Sequence, residues 1–195
     1  MASELSLSER RAYEAVSRRV KLAQRSRVVV LFGPARSGKT RVAQALIDQG
    51  GEYCDFSTHL SKLLSMPGGP GPHPERLEAT FVTNYLLELT KNSSANFLLV
   101  DGLGTVLNLL AQNPSRQGSQ QKLFLKRLAQ VPFYRPLVVI FPLWTSPRWL
   151  NAQGITDALG TDRKWVYLEP REIDQAYLAE KQELRQVSTK ETQYR

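Results

Sequence analysis

Arg27-Val28-Val29-Val30-Leu31-Phe32-Gly33-Pro34-Ala35-Arg36-Ser37-Gly38-Lys39-Thr40 is the stretch that decides the fold. Its second half, Gly33 to Thr40, fits G-x-x-x-x-G-K-[ST], the phosphate-binding P-loop or Walker A pattern. The glycines let the backbone turn tightly, so that consecutive N–H groups can point at phosphates. Lys39 is placed to reach the β- and γ-phosphates, and the Thr40 hydroxyl to ligate Mg²⁺. A helix that follows presents its N-terminus to the anion. Four fixed positions at ordinary residue frequencies give about a 1% chance of one accidental match in a chain this long.

The flanks agree with the motif. Residues 27–32 form a short β-branched run of the kind a buried parallel strand requires. After the loop, Val42, Leu46 and Ile47 fall at helical spacing. Strand, glycine loop and helix are the context in which the motif binds phosphate; the alternative is a glycine turn that happens to contain Lys-Thr. The expected nucleotide contacts are Gly33, Pro34, Ala35, Arg36, Ser37, Gly38, Lys39 and Thr40.

With 195 residues, 42% of them hydrophobic, the chain suits one globular domain with a real core. No apolar run approaches the roughly 20 residues of a membrane span. The first eleven residues lack the apolar centre of a signal peptide. Cys54 is the only cysteine, which excludes an internal disulfide, and with only His59 and His73 beside it a zinc site is not expected. The expectation is a cytoplasmic protein without membrane contact.

The formal net charge is +8, unevenly spread. Arg10, Arg11, Arg18, Arg19, Lys21, Arg25 and Arg27 crowd the first segment, against Glu4, Glu9 and Glu14. A second stripe holds Arg116, Lys122, Lys126, Arg127 and Arg135, with no acid between Ala111 and Arg135. Such stripes could contact DNA or an acidic partner, or be solvated helix faces of a basic protein.

Along the chain, Ser6-Leu7-Ser8-Glu9 has capping-box spacing. Ala12, Val16, Val20 and Ala23 then mark one face of a helix over 7–24. A second strand is expected over 52–56. Ser57-Thr58 is placed to cap a helix carrying Leu60, Leu63 and Leu64. Residues 66–74, with four prolines and three glycines, read as a surface loop. A helix over 75–91, a third strand over 96–101 and a helical stretch over 105–110 follow. A polar loop over 113–119 precedes a helix with Leu123, Leu125 and Leu128, then a strand over 136–141. Residues 142–162, rich in Pro, Trp and Gly, read as irregular. A fifth strand over 165–168 and a helix over 171–186 complete the pattern. Five apolar strands alternating with helices predict a parallel sheet covered on both faces, with ligands at the carboxyl ends of its strands.

Asp101 ends the third apolar run, where a P-loop protein needs an acid that holds Mg²⁺ through water. The alternative is a helix-capping Asp. Asp55, at the end of the second strand, could orient a water or cap the next helix. Arg148 and Arg163 lie between the fourth and fifth strands; Arg163 is placed to stabilise charge in a neighbour's site, or is an exposed basic residue in a turn.

The order of P-loop strand, second strand, acid-tipped third strand, fourth and fifth strands resembles the core of the AAA+ and wider additional-strand P-loop ATPases. Residues 169–195 leave room for one helix, so a full AAA+ lid is not expected. Many ATPases of that class place a catalytic Glu after the strand-three Asp; here the residue is Gly102. Within the class the chain resembles the BrxF family of BREX phage-defence systems. The stretches that carry this are 31–40, 55–64, Leu98-Leu99-Val100-Asp101-Gly102-Leu103 and Tyr167-Leu168-Glu169-Pro170. The resemblance spans roughly residues 25–172. The P-loop and Asp101 point to ATP and Mg²⁺, and Gly102 to slow or partner-dependent hydrolysis; the resemblance to BrxF implies work beside other defence-system proteins including a larger ATPase. Homo-oligomers could form on ATP binding, since ATP sites of this class often sit between subunits. A nucleotide or small-molecule kinase is the alternative, although residues 142–162 lack the compact arginine cluster of such enzymes' lids.

Overall fold

The computed structural model describes residues 5–22, 28–34, 36–113, 119–142, 152–160 and 164–168. The first helix, α1 (Leu7–Leu22), leads to β1 (Val28–Gly33), the glycine loop and α2 (Lys39–Ile47). Then come β2 (Gly51–Asp55), α3 (Phe56–Ser65), a single 3₁₀ turn at Pro74–Arg76 and α4 (Ala79–Asn92). β3 (Phe97–Asp101), α5 (Gly104–Gln112), α6 (Gln120–Gln130), β4 (Leu137–Pro142), α7 (Ala152–Leu159) and β5 (Trp165–Tyr167) complete the described chain.

The five strands form one sheet in the order β2-β3-β4-β1-β5, and every pairing is parallel. β4 therefore stands between the P-loop strand β1 and the acid-tipped β3.

Alternation along each strand divides the core in two. Val28, Val30 and Phe32 face one cluster with Leu98, Val100, Val139 and Phe141, filled by α4, α5, α6 and α7 residues such as Leu86, Val106, Phe124 and Ile155. Val29 and Leu31 face the other, with Leu99, Val138 and Ile140, covered by Ala12 and Val16 of α1 and Val42 and Leu46 of α2. Both faces being buried explains why the strands read as unbroken apolar runs instead of alternating ones. Each fully buried Val, Leu or Phe contributes roughly 1.5–3 kcal/mol relative to exposure.

The capping box forms as the spacing predicts. The Ser6 N–H donates to Glu9 Oε2 at 2.8 Å, and the Glu9 N–H donates to Ser6 Oγ at 3.3 Å. Other expectations are corrected. α3 is capped by Asp55, whose carboxylate accepts the Ser57 N–H at 3.0 Å, so Ser57 and Thr58 lie inside the helix. The helix expected over 75–91 begins only at Ala79, because side chains far along the sequence take its backbone groups. Asn113 Nδ2 donates to the Leu77 carbonyl at 2.8 Å, and Gln120 Oε1 accepts the Ala79 N–H at 3.0 Å. The stretch expected to be irregular contains α7, held by Ile155, Ala158 and Leu159 against the core. Residues 143–151, the end of the expected first helix at 23–24, and the helix expected over 171–186 lie outside the described residues. No helix among the described residues is long and apolar enough to cross a membrane.

Gln120 is almost fully buried. Its replacement by leucine should leave the Ala79 N–H without an acceptor and cost about 1–3 kcal/mol, read as a lower urea midpoint at unchanged slope. An unchanged midpoint would show that α4 does not depend on this cap.

Candidate functional site

The carboxyl ends of β1 and β3 bring the sequence-predicted residues together. β1 ends at Gly33, where a Cβ would lie 2.4 Å from the Leu168 carbonyl oxygen and 2.9 Å from Ser37 Oγ. The Leu168 N–H donates to the Phe32 carbonyl at 2.8 Å, so the chain after β5 is pressed against the start of the loop. Arg36 and Gly38 both adopt left-handed backbone, at φ 61° and 97°. Such turns build a concave row of N–H groups that receives anions. Ser37 between them is fully buried, whereas Arg36 points to solvent. α2 starts at Lys39, with Gly38 at its cap position and no side-chain cap, which leaves the positive end of its dipole facing the loop.

Lys39 lies within this loop. Its Nζ donates to the carbonyls of Gly33 at 2.9 Å and Pro34 at 2.5 Å, and to Ser37 Oγ at 3.4 Å. Burial pushes its ammonium below the usual lysine range, and the Asp101 carboxylate partly offsets that. The two residues therefore share one electrostatic environment although β4 separates their strands.

Asp101 is oriented, but not as a cap. Its Oδ1 accepts the Gly102 N–H at 2.7 Å, and its Oδ2 accepts the Tyr53 hydroxyl at 3.4 Å. The next helix, α5, has Leu103 at its cap position and uses no side chain there. Tyr53 was not singled out in the sequence. Register places Tyr53 opposite Leu99 and Asp55 opposite Asp101, so only the β2–β3 pairing brings the phenol to the acid. Burial, then the Asp101 and Asp55 carboxylates, push that phenol above its ordinary range, which keeps it a proton donor. Asp55 also uses its Oδ1 to accept the Ser57 hydroxyl at 2.6 Å, consistent with its capping role.

Gly102 has a steric explanation. It sits at φ 76°, and a Cβ there would lie 2.5 Å from Asp55 Oδ1 and 3.0 Å from the Ser57 nitrogen. The turn after β3 disfavours a side chain, glutamate included.

A second residue that sequence reading left in a local role is Glu9. Besides its part in the capping box, it is fully buried and pairs with Arg41 of α2 at 3.4 Å. A Cβ on Gly38 would lie 2.1 Å from Glu9 Oε1. Gly38 is thus required twice, by its left-handed backbone and by the carboxylate packed on it. The capping-box spacing was the only sequence signal for Glu9, and it carried no information about the loop.

The basic stripes are partly internal. Arg19 donates to the Trp165 carbonyl and ties α1 to β5, while Arg127 Nε donates to Thr83 Oγ1 at 3.1 Å. Arg10, Arg11, Arg18 and Lys21 of the first stripe, and Lys122, Lys126 and Arg135 of the second, are exposed. Ala35, Arg25, Arg27, Arg116, Arg148 and Arg163 lie outside the described residues.

Sheet order, glycine loop and acid-tipped β3 together define a P-loop NTPase fold. No family model matches the chain, and no curated protein does. Among solved structures it is similar to one of Pif1 helicases described as unwinding forked double-stranded DNA (18% identity, 85% of this chain and 43% of that one, TM-score 0.40). It is also similar to a Walker-type ATPase of Pyrococcus abyssi (15% identity, 91% and 58%, TM-score 0.41). A third likeness is to PCH-2 of C. elegans (12% identity, 84% and 42%, TM-score 0.41). The chain spans 42–58% of the length of these three.

Gly102→Glu should lower the melting temperature by several degrees, since forcing a side chain into left-handed backbone costs roughly 1–3 kcal/mol before any clash. Unchanged melting would show that the turn can take a side chain. Asp101→Asn removes a charge that raises the Lys39 pKa, so Lys39 should lose its proton at lower pH than in the parent. An NMR titration of its side chain reads this directly, and an unmoved or raised midpoint would mean that the two groups do not interact.

Proposed function

We propose that this chain binds ATP with Mg²⁺ and hydrolyses it slowly, with the nucleotide governing assembly. The observation that carries the reading is Lys39, seated within a left-handed glycine loop and electrostatically coupled to Asp101. The residues fit the group: Gly33 and Gly38 stand where any Cβ would collide, and α2 opens uncapped beneath them. The backbone of 33–40 would hold the phosphates, Lys39 would neutralise them, and Thr40 with Asp101 would hold the metal. When bound, Mg²⁺ neutralises charge on the β- and γ-phosphates. Tyr53 and the Gly102 N–H keep the Asp101 carboxylate in one orientation for that task.

Glycine at position 102 supports slow turnover in the isolated chain, because no carboxylate stands directly after Asp101 to activate a water. A partner, or a second copy contributing Arg163, would supply what the site lacks. The inserted strand β4 favours this ATPase reading over a kinase, in line with the resemblance to additional-strand ATPases. The resemblance to BrxF supports a setting among other defence-system proteins, including a larger ATPase, and the exposed arginines of α1 support DNA as a further contact.

Lys39→Ala should weaken ATP binding at least a hundredfold, measured by calorimetry, and abolish any ATP-dependent rise in mass seen by light scattering. Undiminished binding in that variant would overturn the nucleotide reading. Normal binding in the parent without any change in mass, alone or with partners, would overturn only the assembly role.

A further inference from the structure

At the opposite end of the sheet from the P-loop lies a cavity of about 270 Å³ that the nucleotide reading does not use. It opens where α1, the end of α2 and the amino ends of the strands meet. Phe97 is the first residue of β3, and Pro136 immediately precedes β4. β1 runs the six residues between the two ends, which separates them by about 20 Å. The volume falls just below the range of drug-sized ligand sites, and suits a molecule of about ten heavy atoms.

Its walls divide by chemistry. Val20, Leu46 and Phe97 supply an apolar floor continuous with the core cluster under α1 and α2. Ser17 adds the one buried side-chain polar atom among the described residues that has no hydrogen-bond partner. A buried hydroxyl left unpaired costs about 1–3 kcal/mol, so a ligand oxygen reaching it recovers a bond the protein does not make itself. Lys21, one helical turn on, lines the same cavity and is exposed; no acid pairs with it among the described residues. Gln49 and Asn96 also line it, the Gln49 amide donating to the Tyr13 hydroxyl. An apolar floor, an unpaired hydroxyl and an unpaired ammonium on one side are the complement of an amphipathic anion.

We infer that this cavity is a second binding site, for a small monocarboxylate with an apolar body, distinct from the nucleotide site. The body lies on Val20, Leu46 and Phe97. The carboxylate accepts from Ser17 Oγ and faces Lys21.

The test is protein-observed NMR with 3-phenylpropionate and hexanoate, each beside its neutral alcohol. Both carboxylates should shift the amides around residues 17, 21, 49 and 96, with Kd values of about 1 mM or tighter. The alcohols should bind about tenfold more weakly, and Lys21→Met should erase that preference. Saturating ATP-Mg²⁺ should leave the carboxylate shifts in place. Absence of shifts at these residues with the parent protein would overturn the site. Equal affinity for acid and alcohol, or an unaltered preference in Lys21→Met, would overturn the assignment of an anion.

Discussion

Burial of β1 on every side is the constraint from which the rest of the molecule follows. Its backbone pairs with β4 on one edge and β5 on the other, and its side chains enter both core clusters. A strand so enclosed cannot shift register without moving its whole apolar set to the wrong face. Gly33 is therefore delivered to a fixed point, and the turn that follows must occur within the gap left by Leu168 and Ser37. The phosphate loop owes its shape to this as much as to its glycines.

The acid end of β3 is fixed in the same manner, through β4. Parallel pairing from β1 to β4 to β3 to β2 carries the position of the loop across the sheet to Asp101 and then to Tyr53 and Asp55. At that end three requirements meet at neighbouring positions: Asp101 must be oriented, Asp55 must cap α3, and the chain must turn directly after Asp101. Glycine at 102 meets them without strain, since a Cβ there would press on Asp55 and on the first turn of α3. An absent glutamate reads from sequence as a missing catalyst, yet the structure traces it to packing.

The strands were legible because burial on both faces leaves an unmistakable mark, and the order of loop, acid and strands followed from them. Boundaries set by distant partners were not. The start of α4 depends on Asn113 and Gln120, and nothing near residue 78 announces them. α7 carried its signal in Ile155, Ala158 and Leu159, at helical spacing, but Gly154 and the surrounding Pro and Trp masked it. Of the site, the glycine loop and Asp101 were visible as types at a spacing. Tyr53 and Glu9 were not, because register brings the first to Asp101 and helix docking brings the second to Gly38. The basic stripes misled in part, since charge counted along a sequence does not separate a tether such as Arg19 from a solvated Arg18.

Glu9 also changes what the first helix is. Taken as a charged segment ahead of a domain, α1 would be an arm, free to swing on its connection to β1. Its buried carboxylate instead grips the residue at the cap position of α2, while Arg10 and Arg11, its immediate neighbours in the chain, look outward. Arg10, on the outer basic face, is the next residue in the chain after the one whose carboxylate packs on Gly38. Whatever rests on that face is held by the same turn of helix that holds the loop, with no joint in between.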